Sequence, residues 1–234
     1  MPAMIKSWSF SRWMKYTKCP RSAKYAFIDK LEEPSSPALE RGTQLHQLCE
    51  WYLRGAKKTV PKEVKPIAKY LQDLRKEKAI AEAEFTFTRD WKLTKWNDWN
   101  NAWVRIKADS LVPPIADADR PIVKIDDFKS GGKLDSKTED VVFKEEYPLQ
   151  LELYDLAALL AYPTAKESQS RLIFIDHGKS VEAERHTRAD VPQLIKRWET
   201  RTKKMLADTK FKPTPGNACR WCHFRQANGG PCEY

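Results

Sequence analysis

Residues 122–132 read IVKIDDFKSGG, and the way this stretch is read decides the rest of the chain. Its apolar start predicts a buried strand, and the two-residue period of a strand puts Val123, Ile125, Asp127 and Lys129 on one face. Asp126 and Phe128 then point the other way. The strand therefore ends by presenting a carboxylate and an ammonium side by side. That pairing suits metal-assisted hydrolysis: the acid can hold a divalent cation and the amine can orient a water. An acid-x-Lys step also occurs by chance in most chains of this size, so the reading depends on what else arrives beside it.

Working outward, the 234 residues carry a formal net charge of +10, which favours a polyanionic partner. Ordinary solubility charge is the plainer account, because Lys and Arg are scattered rather than blocked. No long apolar run is present, so neither membrane insertion nor secretion is expected, and a reducing, cytoplasmic setting follows. The five cysteines then read as ligands or core residues rather than disulfides. With no repeat, low-complexity tract or evident linker, one domain over 1–234 is expected.

Upstream, residues 7–30 predict a helix capped by Ser9 or Ser11, a break at Cys19-Pro20, and a second helical stretch. Residues 38–54 carry a helical pattern containing Gly42 and His46, four apart on one face. The glycine would let the backbone pass close to a neighbour, and the imidazole would point to the same place; a merely half-buried histidine is the alternative. Cys49, three residues on, reads as packing. A charged surface helix is expected over 64–81, then strands over 82–88 and 102–112. Between those strands Trp91, Trp96, Trp99 and Trp103 read either as staples of a hairpin loop or, one or two of them, as rings for stacking nucleobases. Asp109 lies in the second strand. Beside the strand of Asp127 it would bring two carboxylates to one edge of the sheet, where a cation would relieve their repulsion; capping a turn is the competing role.

Downstream, 131–140 is a polar loop and 145–162 an apolar helix that stacks Gln150 and Tyr154 on one face. Such an amide and phenol can bond a loop, or fix a water and a phosphate. A strand over 171–176 and a long basic helix over 187–208 complete the pattern. The end of the chain, FKPTPGNACRWCHFRQANGGPCEY, holds a C-x2-C knuckle at Cys219 and Cys222, with Cys232 after a glycine-rich turn. Three sulfurs want a fourth ligand, and distant Cys19 or adjacent His223 can supply it. A metal there would tie the chain ends together, with 7–30 and 211–234 forming a lid.

Taken in order, CPR at Cys19, GTQLH ending at His46, the acid of IKADSL at Asp109, DFK from Asp127 to Lys129, QLELY from Gln150 to Tyr154, and the final CRWC and C resemble the RecB-like branch of the PD-(D/E)XK nuclease superfamily. More narrowly, the pattern is similar to Cas4-type exonucleases with an iron–sulfur cluster and to the nuclease module of AddB. The likeness runs from residue 7 to 232. It implies an α/β, restriction-endonuclease-like core, a central mixed sheet flanked by helices, with the N- and C-terminal segments joined by a cysteine-ligated cluster. It also implies Mg2+ or Mn2+ at His46, Asp109, Asp127 and the Phe128 carbonyl, a water positioned by Lys129, and a DNA-contacting, site-organising pair in Gln150 and Tyr154. Cys19, Cys219, Cys222 and Cys232 match the ligands of a 4Fe–4S cluster. Two departures stand out: Asp127 replaces the commoner Glu, and the Cys222–Cys232 interval is long, which keeps zinc as an alternative. The implied activity is 5′-to-3′ exonucleolysis of single-stranded or frayed DNA in a bacterial or phage-infected cell, with a homo-oligomer or a recombination factor as a further partner. A flap or branch endonuclease, a non-catalytic end-binding subunit, and a zinc-ribbon binding module are the other readings.

Overall fold

The computed structural model describes residues 4–115, 119, 121–138, 140–142 and 144–234, and statements of absence below concern these. Two helices, α1 (Phe10–Lys18) and α2 (Pro20–Phe27), open the chain and are separated by a single residue. Ser9 caps α1 by accepting from the Arg12 amide. Cys19 is extended (φ −160°, ψ 111°) because the following proline ring crowds the helical conformation out of it. The same proline, with no amide hydrogen to satisfy, starts α2. In α3 (Pro37–Leu53) Ser36 caps and Pro37 fills the first turn in the same manner.

The stretch expected as one helix over 64–81 is instead a 3-10 segment (Lys62–Ile67) containing Pro66, then α4 (Ala68–Lys76). Lys78 takes a positive φ of 55° and turns the chain, so that β1 (Ile80–Phe87) starts two residues earlier than the alternation suggested. β2 (Val104–Val112), β3 (Ile122–Lys129), α5 (Glu146–Ala161) and β4 (Glu167–Phe174) follow. The two short strands β5 (Lys179–Glu182) and β6 (His186–Thr187) fall outside the sequence expectation. β6 occupies the first residue assigned to the long basic helix, whose true start is set by a Thr187–Asp190 capping box ahead of α6 (Val191–Ala207).

The sheet is open and mixed, in the order β1-β2-β3-β4-β5, with β6 also on β4. Only β3 and β4 run parallel, joined through α5. Alternation along the central strands serves two apolar layers. Val123, Ile125, Leu172 and Phe174 join the layer under α5, α6 and α1, whereas Phe128, Ile173 and Ile175 join the layer under α3 and α4. α5 has apolar neighbours on nearly every side, with Leu151, Leu153, Leu156 and Leu159 all fully buried. The helices therefore flank a central mixed sheet, as expected.

A tryptophan cluster locks the chain start to α6. Trp8 forms a parallel bridge with Val104 and stacks on Trp198 at 5.6 Å between ring centroids, and Trp13 meets Trp198 edge-on at 5.3 Å. Trp91 and Trp103 complete the group edge-to-face, 5.3 Å apart. These two of the four hairpin tryptophans are buried staples; Trp96 is half-buried and Trp99 exposed.

Candidate active site

β2 and β3 pair only over Ser110–Val112 against Lys124–Asp126, and then part. The fork opens where the register brings Asp109 level with Asp127. The two acids flank the mouth of the fork, Asp109 turned to His46 of α3 and Asp127 to Gln150 and Tyr154 of α5, near enough that the charge of Asp127 acts on Asp109.

Asp127 is held by three partners. Tyr154 donates its hydroxyl to Oδ1 at 2.7 Å and Gln150 Nε2 donates to the same oxygen at 3.2 Å. Lys129 Nζ lies 2.6 Å from Oδ2. That contact is an ion pair out of hydrogen-bonding alignment, which leaves Oδ2 a buried oxygen with no hydrogen-bond partner. Lys129 donates instead to Gln150 Oε1 at 2.9 Å, and Gln150 Nε2 also reaches the Tyr154 hydroxyl at 2.8 Å. The four side chains form a closed network between the end of β3 and the first half of α5. Burial, with the charges of Asp127 and Asp109, pushes the Tyr154 phenol well above its ordinary pKa, so it stays a neutral donor.

His46 supplies the opposite wall. Its Nδ1 lies 3.0 Å from Asp109 Oδ1, and the Phe128 amide donates to Asp109 Oδ2 at 2.6 Å. An ionised carboxylate only accepts, so His46 in its neutral form carries its proton on Nδ1 and leaves Nε2 with a lone pair. Burial works against the imidazolium, but the hydrogen bond and charge of Asp109, together with Asp127, outweigh it and raise the His46 pKa. Burial raises the Asp109 carboxyl, its bond to His46 opposes this, and the Asp127 charge adds to it. Gly42 of α3 faces the residue after β3: a Cβ there would stand 2.8 Å from Ser130 Oγ, which would have to rotate away. Cys49 is fully buried and pushed up to about 12, a core thiol as expected.

Among the described residues, no group of three His, Cys, Asp or Glu side chains is gathered as for a metal ion. The donor set nevertheless suits a hard divalent cation. Asp127 Oδ2 accepts no hydrogen bond and meets only the Lys129 ammonium, the charge of Asp127 bears on Asp109, and His46 bonds Asp109 through one ring nitrogen and so has a second to offer. Phe128 contributes its amide to Asp109 in this arrangement. Clefts of about 480 Å3 open on both sides: one lined by Gly42, His46, Glu50, Glu82 and Asp109, the other by Arg12, Trp96, Trp99 and Arg105 with Gln150 and Tyr154.

The chain ends meet away from the fork. Tyr16 donates to Asp208 at 2.8 Å, Arg21 to the Phe211 carbonyl at 3.0 Å, and Tyr25 packs on Phe224. Cys19, Cys219, Cys222 and Cys232 are free thiols that line one cavity of about 370 Å3, with His223 beside them. Cys232 is folded back by bonds to Phe224 and Gln226, over Gly230, where a Cβ would strike the Phe224 backbone at 2.3 Å. The four sulfurs thus share a cavity without the ligand grouping a cluster would impose.

Sequence reasoning missed three features of this region. Asp126 is buried and pairs with Arg171 at 2.6 Å; Asp155, on α5, is buried against β4 and β6; Arg12 and Arg105 line the second cleft. The apolar flanks of both acids signalled burial, but the arginines come from separate elements and carry no spacing signal.

The family model for the PD-(D/E)XK nuclease superfamily matches residues 7–120 and 115–227. No curated relative matches the sequence significantly. Among solved structures, a protein from Eubacterium rectale named as an exonuclease is similar at 14% identity and a TM-score of 0.53, over 94% of this chain and 88% of its own. The SSO0001 protein is similar at 16% identity and a TM-score of 0.50, over 94% and 84%. At these identities the likeness is one of fold.

Proposed function

From the premise that the chain belongs to the PD-(D/E)XK nuclease superfamily, we propose that it is a divalent-metal-dependent DNA exonuclease acting on single-stranded or frayed ends, with the 5′-to-3′ polarity that its motif order resembles. The observation that carries this is the acid-lysine pair of β3, braced by Gln150 and Tyr154 and faced by Asp109 across the strand fork. His46, Asp109, Asp127 and the Phe128 carbonyl would hold the cation. A bound Mg2+ or Mn2+ supplies charge that polarises the scissile phosphate and acidifies a water. Lys129, which lies 2.6 Å from Asp127 Oδ2, would orient that water. Gln150 keeps the amine and the carboxylate in register, and neutral Tyr154 donates to Oδ1 of Asp127. The basic surface would draw the DNA backbone by counterion release, so binding should weaken with salt.

The finer assignment is a RecB-like nuclease of the Cas4 type, with Cys19, Cys219, Cys222 and Cys232 holding a 4Fe–4S cluster. The shared cavity supports it, as does a donor set of four sulfurs at the meeting of the chain ends. Such thiols need a reducing, cytoplasmic setting. Anaerobically purified protein should be brown, with broad absorbance near ~400 nm from iron–sulfur charge transfer; a colourless protein containing one zinc would replace iron with zinc in this reading.

End-labelled linear, circular and flapped DNA, digested with Mg2+ or Mn2+, tests the activity. Progressive loss from the ends of linear DNA is expected, and nicking of circles or flaps alone would replace the exonuclease by a structure-specific endonuclease. Asp127→Ala and Lys129→Ala should fold, bind DNA and not cleave; normal turnover by either defeats the proposal.

A further inference from the structure

The second cleft holds two guanidinium groups and no acid. Arg105 donates from Nε to the Trp96 carbonyl at 3.0 Å, and its Nη2 is buried without a hydrogen-bond partner. Arg12 donates to the Ser7 carbonyl at 3.1 Å and to the Ser7 hydroxyl at 3.2 Å. Among the described residues, neither has a carboxylate within ion-pair distance, although other half-buried cations do: Arg171 has Asp126, and Arg201 has Glu152. Burial, followed by the charge of Arg105, lowers the Arg12 pKa, so the pair is mutually unfavourable until an anion enters.

Trp99 stands over this pair, 77% exposed, with the Arg105 guanidinium 4.5 Å from its ring centroid. Its loop is tied by hydrogen bonds to Asp98. Asp98 accepts from the Thr94 hydroxyl at 2.7 Å and from the Asn101 amide at 3.1 Å, and Arg105 also lies 6.0 Å from the Trp96 ring. An indole left in water on this turn, backed by a cation, offers one face to a planar partner. The inner end of the same cleft is formed by Gln150 and Tyr154.

We propose that Trp99, with Arg105 and Arg12, is the subsite that receives the unpaired strand of the DNA substrate: a base stacks on the Trp99 ring while the adjoining phosphodiester bonds the two guanidiniums. This deepens, and rests on, the reading of the chain as a DNA nuclease. A blunt duplex buries its base faces and cannot use the ring, so the subsite sets a preference for single-stranded tails. Its continuity with Gln150 and Tyr154 makes it the approach by which the strand reaches the fork.

Fluorescence anisotropy with the full chain and labelled oligo(dT) of about a dozen nucleotides, without divalent metal so that nothing is cleaved, reads binding alone. Trp99→Ala should weaken binding by about tenfold, Trp99→Phe should recover most of it, and Arg105→Gln should weaken binding and flatten its salt dependence. An abasic oligonucleotide and a blunt duplex should bind wild type and Trp99→Ala alike. Binding of oligo(dT) by Trp99→Ala within twofold of wild type, or an equal loss with the abasic strand or the duplex, overturns the subsite. The nuclease reading fails separately: a wild-type chain that binds oligo(dT) through Trp99 and cleaves nothing with Mg2+ or Mn2+ keeps the subsite and loses the enzyme.

Discussion

Asp155 follows Tyr154 in α5 and fixes that helix from beneath. Its carboxylate is fully buried: Oδ1 accepts from Ser168 at 2.7 Å and Ser170 at 2.5 Å, both on β4, and Oδ2 lies 2.9 Å from Nδ1 of His186 on β6. Replacing it as Asp155→Asn removes the charge while keeping the shape. Loss of one partner from a buried pair costs about 3–5 kcal/mol. Asparagine still offers one oxygen to the serines, so the lower end, about 3 kcal/mol, applies. At roughly 2–4 °C per kcal/mol for a chain of this size, the melting temperature should fall by about 6–12 °C.

The hydrogen bond to Asp155 raises the His186 pKa against partial burial, with the charges of Asp155, Glu152 and Asp190 adding to it. A histidine raised in the folded state stabilises fully below its unfolded value, about 6.5, and loses that contribution as pH climbs through the folded value. The parent's melting temperature should therefore decline above about pH 6.5, and the decline should be shallower in Asp155→Asn. His46 is raised as well, so the difference between the two proteins, rather than either curve, isolates His186. Differential scanning fluorimetry in constant-ionic-strength buffers reads both quantities. A variant melting within about 2 °C of the parent, or curves that stay parallel with pH, would refute the anchoring argument.

Trp198 is fully buried against Trp8, Trp13 and Phe10, so Trp198→Ala should destabilise by about 3–5 kcal/mol in urea unfolding; a loss under about 1 kcal/mol would mean the indole cluster is not a continuous packed unit. Tyr154→Phe removes the hydroxyl that donates to Asp127, a bond to a charged group worth about 1.5–3 kcal/mol. Cleavage should drop about 10- to 100-fold and the melting temperature should fall by about 3–12 °C, and unchanged cleavage would show that Gln150 alone orients the acid.

The central strand was readable because alternation, two acids and a lysine coincide in eight residues, and strand periodicity alone decides which side chains face α5. Gln150 and Tyr154 were readable through helical spacing. Asp109 and His46 appeared as candidates, but their meeting with Asp127 depends on β2 and β3 separating after Ser110 and on α3 packing at that opening, which no local residue marks. β5 and β6 escaped notice because strands of four and two residues leave too short an alternation to detect. The helix expected over 64–81 failed at Lys78, whose left-handed turn has no compositional mark. The cysteines were legible as a group, and their gathering at one cavity depends on contacts between the two chain ends, such as Arg21 with Phe211.

The stacking of Trp8 on Trp198 also governs how this polypeptide can be made. Roughly 190 residues separate the two rings, and translation at 5–20 residues per second takes about 10–40 s to cover them. Throughout that interval Trp8 lacks its final cover, and Trp91 and Trp103 join it on the nascent chain as they are made. Folding on the ribosome must therefore wait for α6, and a transcript cut short before that helix yields an adhesive fragment rather than a smaller enzyme.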